Sequence, residues 1–181
     1  MRASLLLLLL AMIAALLGMG AAATGNPARS PGPRPAPVQR SADLWATINV
    51  CDTPGKPNTI GIRGSMPGLG NRPATLQMRF QVQYQSKTDG RWHNSDESAD
   101  SGWKTVGQRI RKKVIESGQD FTFVPPGDGG AHVLRGSVRF RWLRKGKVVT
   151  RARRFSEGGH LSTAGADPAG YSASMCQIRQ P

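Results

Sequence analysis

Residues 76–85 read Leu-Gln-Met-Arg-Phe-Gln-Val-Gln-Tyr-Gln. Leu76, Met78, Phe80, Val82 and Tyr84 alternate with Gln77, Arg79, Gln81, Gln83 and Gln85, a repeat of two held over the whole stretch. Successive side chains of a β-strand point to opposite faces, so this segment is a strand with one face in a core and the other in water. Helical periodicity is convincing nowhere in the chain.

Working outward, weaker alternations run through Leu44, Ala46, Ile48 and Val50 and through Ile60, Ile62 and Met66, separated by the turn-forming Asp52-Thr-Pro-Gly-Lys-Pro57. Strict alternation puts Cys51 on the side of Trp45 and Thr47, opposite Ile48 and Val50, and either a bulge at the strand end or an outer-face disulfide accommodates it. Further strands are expected over Trp103–Val106, over Phe121–Val124 before Pro125-Pro126, and over Val133–Leu143 running into Val148–Phe155. Residues 109–116, RIRKKVIE, form a short turn of helix at most, and the Gly-rich 61–73, GIRGSMPGLGNRP, reads as a loop. Seven or eight strands without alternating helices predict an all-β fold, an antiparallel β-sandwich. The 22 Gly and 13 Pro argue against a helical bundle, and the 38% apolar content argues against wholesale disorder.

The ends of the chain carry other signals. Residues 1–23 combine Arg2, an apolar run from Leu5 to Leu17 and small residues Ala21, Ala22 and Ala23, the three parts of a cleavable secretory signal. Residues 24–41, rich in Pro and Arg, should form a disordered tether. Residues 42–181 then form the folded domain, with no second apolar run long enough to span a membrane. Cys51 and Cys176 are the only cysteines, one near each end of that domain. In an oxidising compartment they are expected to form one disulfide, worth at most about 5 kcal/mol for so long a loop.

From Met78 to Phe155, through MRFQVQYQ, Trp103 in GWKTVG, DFTFVPP, LRGSVRFRW and a basic hairpin, the chain resembles a fibronectin type III or immunoglobulin-like sandwich. That resemblance implies a C-terminal extension, residues 156–181, returning to the first strand. Through VCDTPGKPN at 50–58 and GADPAGYSASMC at 165–176 the domain also resembles uncharacterised secreted proteins of high-GC Gram-positive bacteria, which implies a compartment and no activity.

Charge is the remaining signal. The chain carries 25 Lys and Arg against 11 Asp and Glu, a net +14. Nine basic residues and no acidic one lie between Arg135 and Arg154. If the hairpin turns through a three-residue loop, Arg144-Lys145-Gly146, then Arg139 faces Arg151, Phe140 faces Thr150 and Trp142 faces Val148. One face is then core and the other cationic, with Arg139, Arg141, Arg151 and Arg153 as candidate anion-binding residues. A two-residue turn at Lys145-Gly146 would split the charge between the faces. A second basic run, Arg109, Arg111, Lys112 and Lys113, is a candidate extension.

Common catalytic signatures are missing: there is no GxSxG elbow, HExxH, P-loop or Rossmann glycine pattern, and no cofactor is implied. His93, Asp96, Glu97 and Asp100 read as an exposed polar loop rather than a metal site. Export disfavours nucleic acid as a partner, and no basic-aromatic stacking platform is visible beyond Phe140 and Trp142, which the core requires. The expectation is a non-enzymatic secreted binding or adhesion module whose partner is an anionic cell-envelope polymer or another extracellular protein. The alternative is a structural or accessory module without anion specificity, its charge serving solubility and edge protection.

Overall fold

A computed structural model describes residues 37–127 and 129–179. The expected signal, 1–23, and residues 24–36 of the expected tether lie outside the described residues. The strands are β1 (Trp45–Thr53), β2 (Lys56–Pro67), β3 (Ala74–Gln85), β4 (Trp92–Asn94), β5 (Lys104–Ile110), β6 (Val114–Thr122), β7 (Ala131–Arg144), β8 (Lys147–Phe155) and β9 (Cys176–Arg179). One antiparallel sheet runs β1-β2-β6 and the other β4-β3-β7-β8, with β5 also paired to β3 and β9 to β7. The two sheets pack on each other, so the fold is the expected antiparallel β-sandwich.

The alternation of β3 holds on the inward face as far as Val82, while Tyr84, expected on that face, is exposed, and Gln81 and Gln83 of the other face are buried rather than in water. Leu76, Met78, Phe80 and Val82 are fully buried, and they meet Val138, Phe140 and Trp142 of β7 and Ile48, Ile62 and Met66 of the facing sheet in one core. Trp142 Nε1 donates to the Pro67 carbonyl at 2.7 Å, which satisfies the polar end of the largest buried side chain and ties the two sheets together. Gly136 of β7 lies beneath Ile62 of β2, where an added Cβ would come within 2.9 Å of Ile62 Cγ2. The missing side chain sets how closely the layers approach at that point.

Several expectations need correction. The Gly-rich 61–73 is a loop only after Pro67; its first half is β2, and Gly64 sits in the strand where an added Cβ would come within 3.2 Å of Val138 Cγ1. Residues 109–116 contain no helix, because they hold the end of β5, a turn and the start of β6. Ile110 and Ile115 both reach the core, whereas in a helix two residues five apart point about 140° away from each other. β6 therefore begins at Val114 instead of Phe121, and its polar middle, Glu116 to Asp120, pairs with β2. The domain also begins earlier than residue 42. Pro37–Arg40 forms a 3-10 turn, Val38 packs on the core, and Gln39 Nε2 donates to the Arg151 carbonyl of β8 at 2.5 Å. The unpaired carbonyls of β8, an edge strand, draw in this segment.

The C-terminal extension returns to β1 and covers its open edge. Ile48 and Ala173 exchange two backbone hydrogen bonds of 3.0 Å, Asp167 N–H donates to the Asn49 carbonyl, and Glu157 N–H donates to that of Ala46. Asn49 Nδ2 donates to the Gly165 carbonyl at 2.9 Å, and Thr53 Oγ1 donates to Asp167. The β1–β2 register shifts between Ile48 and Val50 and again between Cys51 and Thr53, the first of the two ways of accommodating Cys51. Cys51 and Cys176 form a disulfide that joins β1 of the first sheet to β9, which lies on β7 of the second.

Replacing both Cys51 and Cys176 with Ser is expected to lower stability by about 2–5 kcal/mol, read as a fall in the urea midpoint with a steeper slope, because the chain without its cross-link unfolds to a more expanded state. Gly136→Ala is expected to cost about 1–3 kcal/mol by overpacking against Ile62, read by the same titration.

Candidate anion-binding face

The basic hairpin turns through two residues. Lys145 and Gly146 have φ of 48° and 75°, and Arg144 pairs with Lys147, the geometry of a tight primed turn. The expected three-residue loop is therefore wrong. The charge is nevertheless not split, because the ladder absorbs an extra residue immediately afterwards. Leu143 pairs with Val148 and Trp142 with Thr150, leaving Val149 bulged out. One extra residue reverses the parity of everything beyond it. Arg141 then pairs with Arg151, Phe140 with Ala152 and Arg139 with Arg153. Directly paired residues share a face, so the four arginines stand together on the outer surface while Phe140 and Trp142 are buried.

β3 carries the same face further. Arg79 pairs with Arg139, Gln77 with Arg141 and Gln83 with Arg135. A row of three arginines, Arg79, Arg139 and Arg153, thus crosses three strands. Among the described residues only Arg79 of this face meets a carboxylate within hydrogen-bonding distance: Asp100 accepts its Nε at 2.7 Å and its Nη2 at 2.6 Å.

The other arginines are held by neutral groups. Arg135 Nε donates to Gln83 Oε1 at 2.9 Å, Arg153 Nε donates to Ser137 Oγ at 3.0 Å, and Arg141 Nε donates to Gln77 Oε1. Their guanidinium planes lie on aromatic rings. Arg135 Cζ is 4.4 Å from the Trp92 ring centre and 4.0 Å from that of Phe155, which Arg153 also approaches at 4.5 Å. Arg141 Cζ is 4.0 Å from the ring centre of Trp103. A basic-aromatic platform therefore exists, built from Trp92, Trp103 and Phe155 rather than from Phe140 and Trp142. Each contact of this kind contributes about 0.5–2 kcal/mol, depending on exposure. Arg139 and Arg151 have no hydrogen-bond acceptor among the described residues.

The cost of this crowding is visible in the protonation equilibria. Burial, and after it the charge of Arg153, pushes the Arg135 guanidinium below its ordinary pKa; burial and then Arg139 do the same to Arg153. Asp100 moves in the stabilising direction. Its hydrogen bonds from Arg79 hold the carboxyl below the usual aspartate range, helped by the Gly102 N–H and by the charges of Arg79 and Arg139.

The other singled-out residues go elsewhere. Asp96, Glu97 and Asp100 line one pocket of about 470 Å³ together with Arg79, but Asp96 caps a 3-10 turn through the Ser98 N–H, Asp100 is taken by Arg79, and His93, which bonds Asp89 at 2.9 Å, does not line it. No group of three or more His, Cys, Asp or Glu is placed to hold a metal ion among the described residues. His132 bonds the Val124 carbonyl, and His160 stacks on Trp45 with ring centres 4.2 Å apart. Of the second basic run, Arg109 reaches the hairpin tip, while Arg111 to Lys113 lie in the β5–β6 turn. Two members of the face, Arg79 and Arg135, were legible by parity: each lies an even number of residues from an outward position on its own strand. Trp92 and Trp103 carried no such signal, because they come from a short strand and a loop. No family model matches the chain, and no curated protein matches it.

A depressed carboxyl pKa means that the folded state binds fewer protons than the unfolded one. The contribution of Asp100 is therefore present above the unfolded-state value of about 3.9 and is lost as pH falls through the folded-state value. In Asp100→Asn the decline of the urea midpoint between about pH 5 and pH 2 is expected to be shallower than in the parent protein.

Proposed function

We propose that this chain is a secreted, non-enzymatic binding module of immunoglobulin-like or fibronectin type III-like architecture that recognises anionic cell-envelope polymers. The observation that carries the reading is the way the arginines are held. Arg135, Arg141 and Arg153 are fixed by glutamine, serine and aromatic planes, so their side-chain entropy is already spent while their charge remains available to a partner. A run of regularly spaced guanidiniums on a flat sheet suits a repeating phosphate, sulfate or carboxylate, each able to take two parallel N–H bonds.

Other features support the setting. The N-terminal signal pattern and the Cys51–Cys176 disulfide fit an exported protein. Among the described residues no helix is long and apolar enough to cross a membrane. The wiring supports the architecture: β3 crosses to the second sheet, β6 returns to lie beside β2, β7 returns to lie beside β3, and β8 adds beside β7.

The test is retention on immobilised sulfated or polyglycerol-phosphate polymer. Replacing Arg139, Arg141, Arg151 and Arg153 together with Ser is expected to abolish retention near physiological salt and to flatten the dependence of affinity on salt by about one unit of slope per engaged arginine. Retention that survives the fourfold change would leave the charge as a solubility and edge-protecting device.

A further inference from the structure

Beyond Gln77, Arg141 and Arg151 the outer face ends at the hairpin tip in a cavity of about 720 Å³. Its charged lining consists of Arg72, Arg109, Arg144, Lys145 and Lys147, and no carboxylate takes part. The five cations converge from three separate segments: the β2–β3 loop, the end of β5 and the hairpin turn. Two local irregularities deliver them. Arg109 has φ of 54° at the point where the β3–β5 ladder loses register, and the tight turn sets Lys145 and Lys147 around Gly146. Arg144, which lines this cavity and a neighbouring one formed with Val38 and Leu69, has a buried Nε without a hydrogen-bond partner among the described residues.

Between the cations the wall is apolar. Leu143, Pro73 and Val149 contribute to it, and Val149, the bulged residue, remains 48% exposed. The volume lies in the range of sites for organic ligands. A bare inorganic anion would leave the apolar wall in water, and a neutral lipid would leave five cations without an anionic partner.

We propose that this cavity binds a single-chain anionic amphiphile, with its phosphate or carboxylate head among Arg72, Arg109, Arg144, Lys145 and Lys147 and its alkyl chain over Leu143, Pro73 and Val149. The site is separate from the arginine face: none of Arg139, Arg141, Arg151 and Arg153 lines it. The inference therefore stands or falls independently of polymer binding.

The experiment is calorimetric titration of the protein with decyl phosphate below its micellar concentration, with inorganic phosphate and decyl maltoside as comparison ligands. Decyl phosphate is expected to bind at one site at least tenfold more tightly than inorganic phosphate, and decyl maltoside to give no saturable heat. Arg109→Gly combined with Lys147→Ser, which keeps the positive φ at residue 109 strain-free, is expected to weaken decyl phosphate about tenfold. Val149→Asp, a change at an exposed position, is expected to do the same through a different element. The fourfold Ser variant of the arginine face is expected to retain decyl phosphate binding. Equal affinity for phosphate and decyl phosphate would overturn the proposal, as would undiminished binding in both cavity variants. Loss of binding in the fourfold variant alone would place the amphiphile on the face and overturn it too.

Discussion

Residues paired across a β-ladder point to the same side of the sheet, and in this protein that constraint runs from β3 through β7 to β8, interrupted by a single bulge at Val149. β7 lies at the centre of it. Its inward residues, Val138, Phe140 and Trp142, complete the core begun by Met78, Phe80 and Leu76, so the parity of β3 dictates that of β7. The hydrophobic cost of exposing those side chains, about 1.5–3 kcal/mol each, exceeds what repulsion between neighbouring arginines can oppose. The outward arginines of β7 are consequently placed where burial of their neighbours requires them, and β8 must then match.

The hairpin shows how that match is achieved. A two-residue primed turn suits the twist of the strands, yet an unbroken ladder beyond it would send Arg151 and Arg153 into the core and Thr150 and Ala152 into water. Bulging Val149 keeps both the favoured turn and the required parity. The same bulge leaves an apolar side chain exposed beside Arg144 and Lys147, so one irregularity accounts for both the continuity of the cationic face and the mixed character of the tip cavity.

The cationic face is sustained without neutralisation. Among the described residues only Arg79 of this face is matched by a carboxylate, and burial first, then a neighbouring arginine, Arg153 for Arg135 and Arg139 for Arg153, lowers the pKa values of Arg135 and Arg153. Aromatic planes and neutral acceptors hold them in register. Behind this face, the disulfide and the backbone bonds from residues 157–173 to β1 close the edge of the smaller sheet, and the Pro37–Arg40 turn occupies part of the β8 edge. The β1 edge and part of the β8 edge are thereby covered by segments with little hydrophobic pattern of their own.

The strands with one apolar face could be read directly, because alternation at 76–85 or 133–143 is a local consequence of burial on one side. The all-β class, the pairing of Cys51 with Cys176 and the membership of Arg139, Arg141, Arg151 and Arg153 in one hairpin followed from residue order alone. The polar middle of β6 did not, since its partners on β2 lie far away in the chain, nor did the docking of Pro37–Arg40. Whether the arginines shared a face depended on one bulged residue, and a bulge is chosen by the core on the far side of the sheet, which no local pattern records. Trp92, Trp103 and Phe155 become partners of Arg135, Arg141 and Arg153 only when four strands and a loop converge, so the character of the candidate site was decided by tertiary structure.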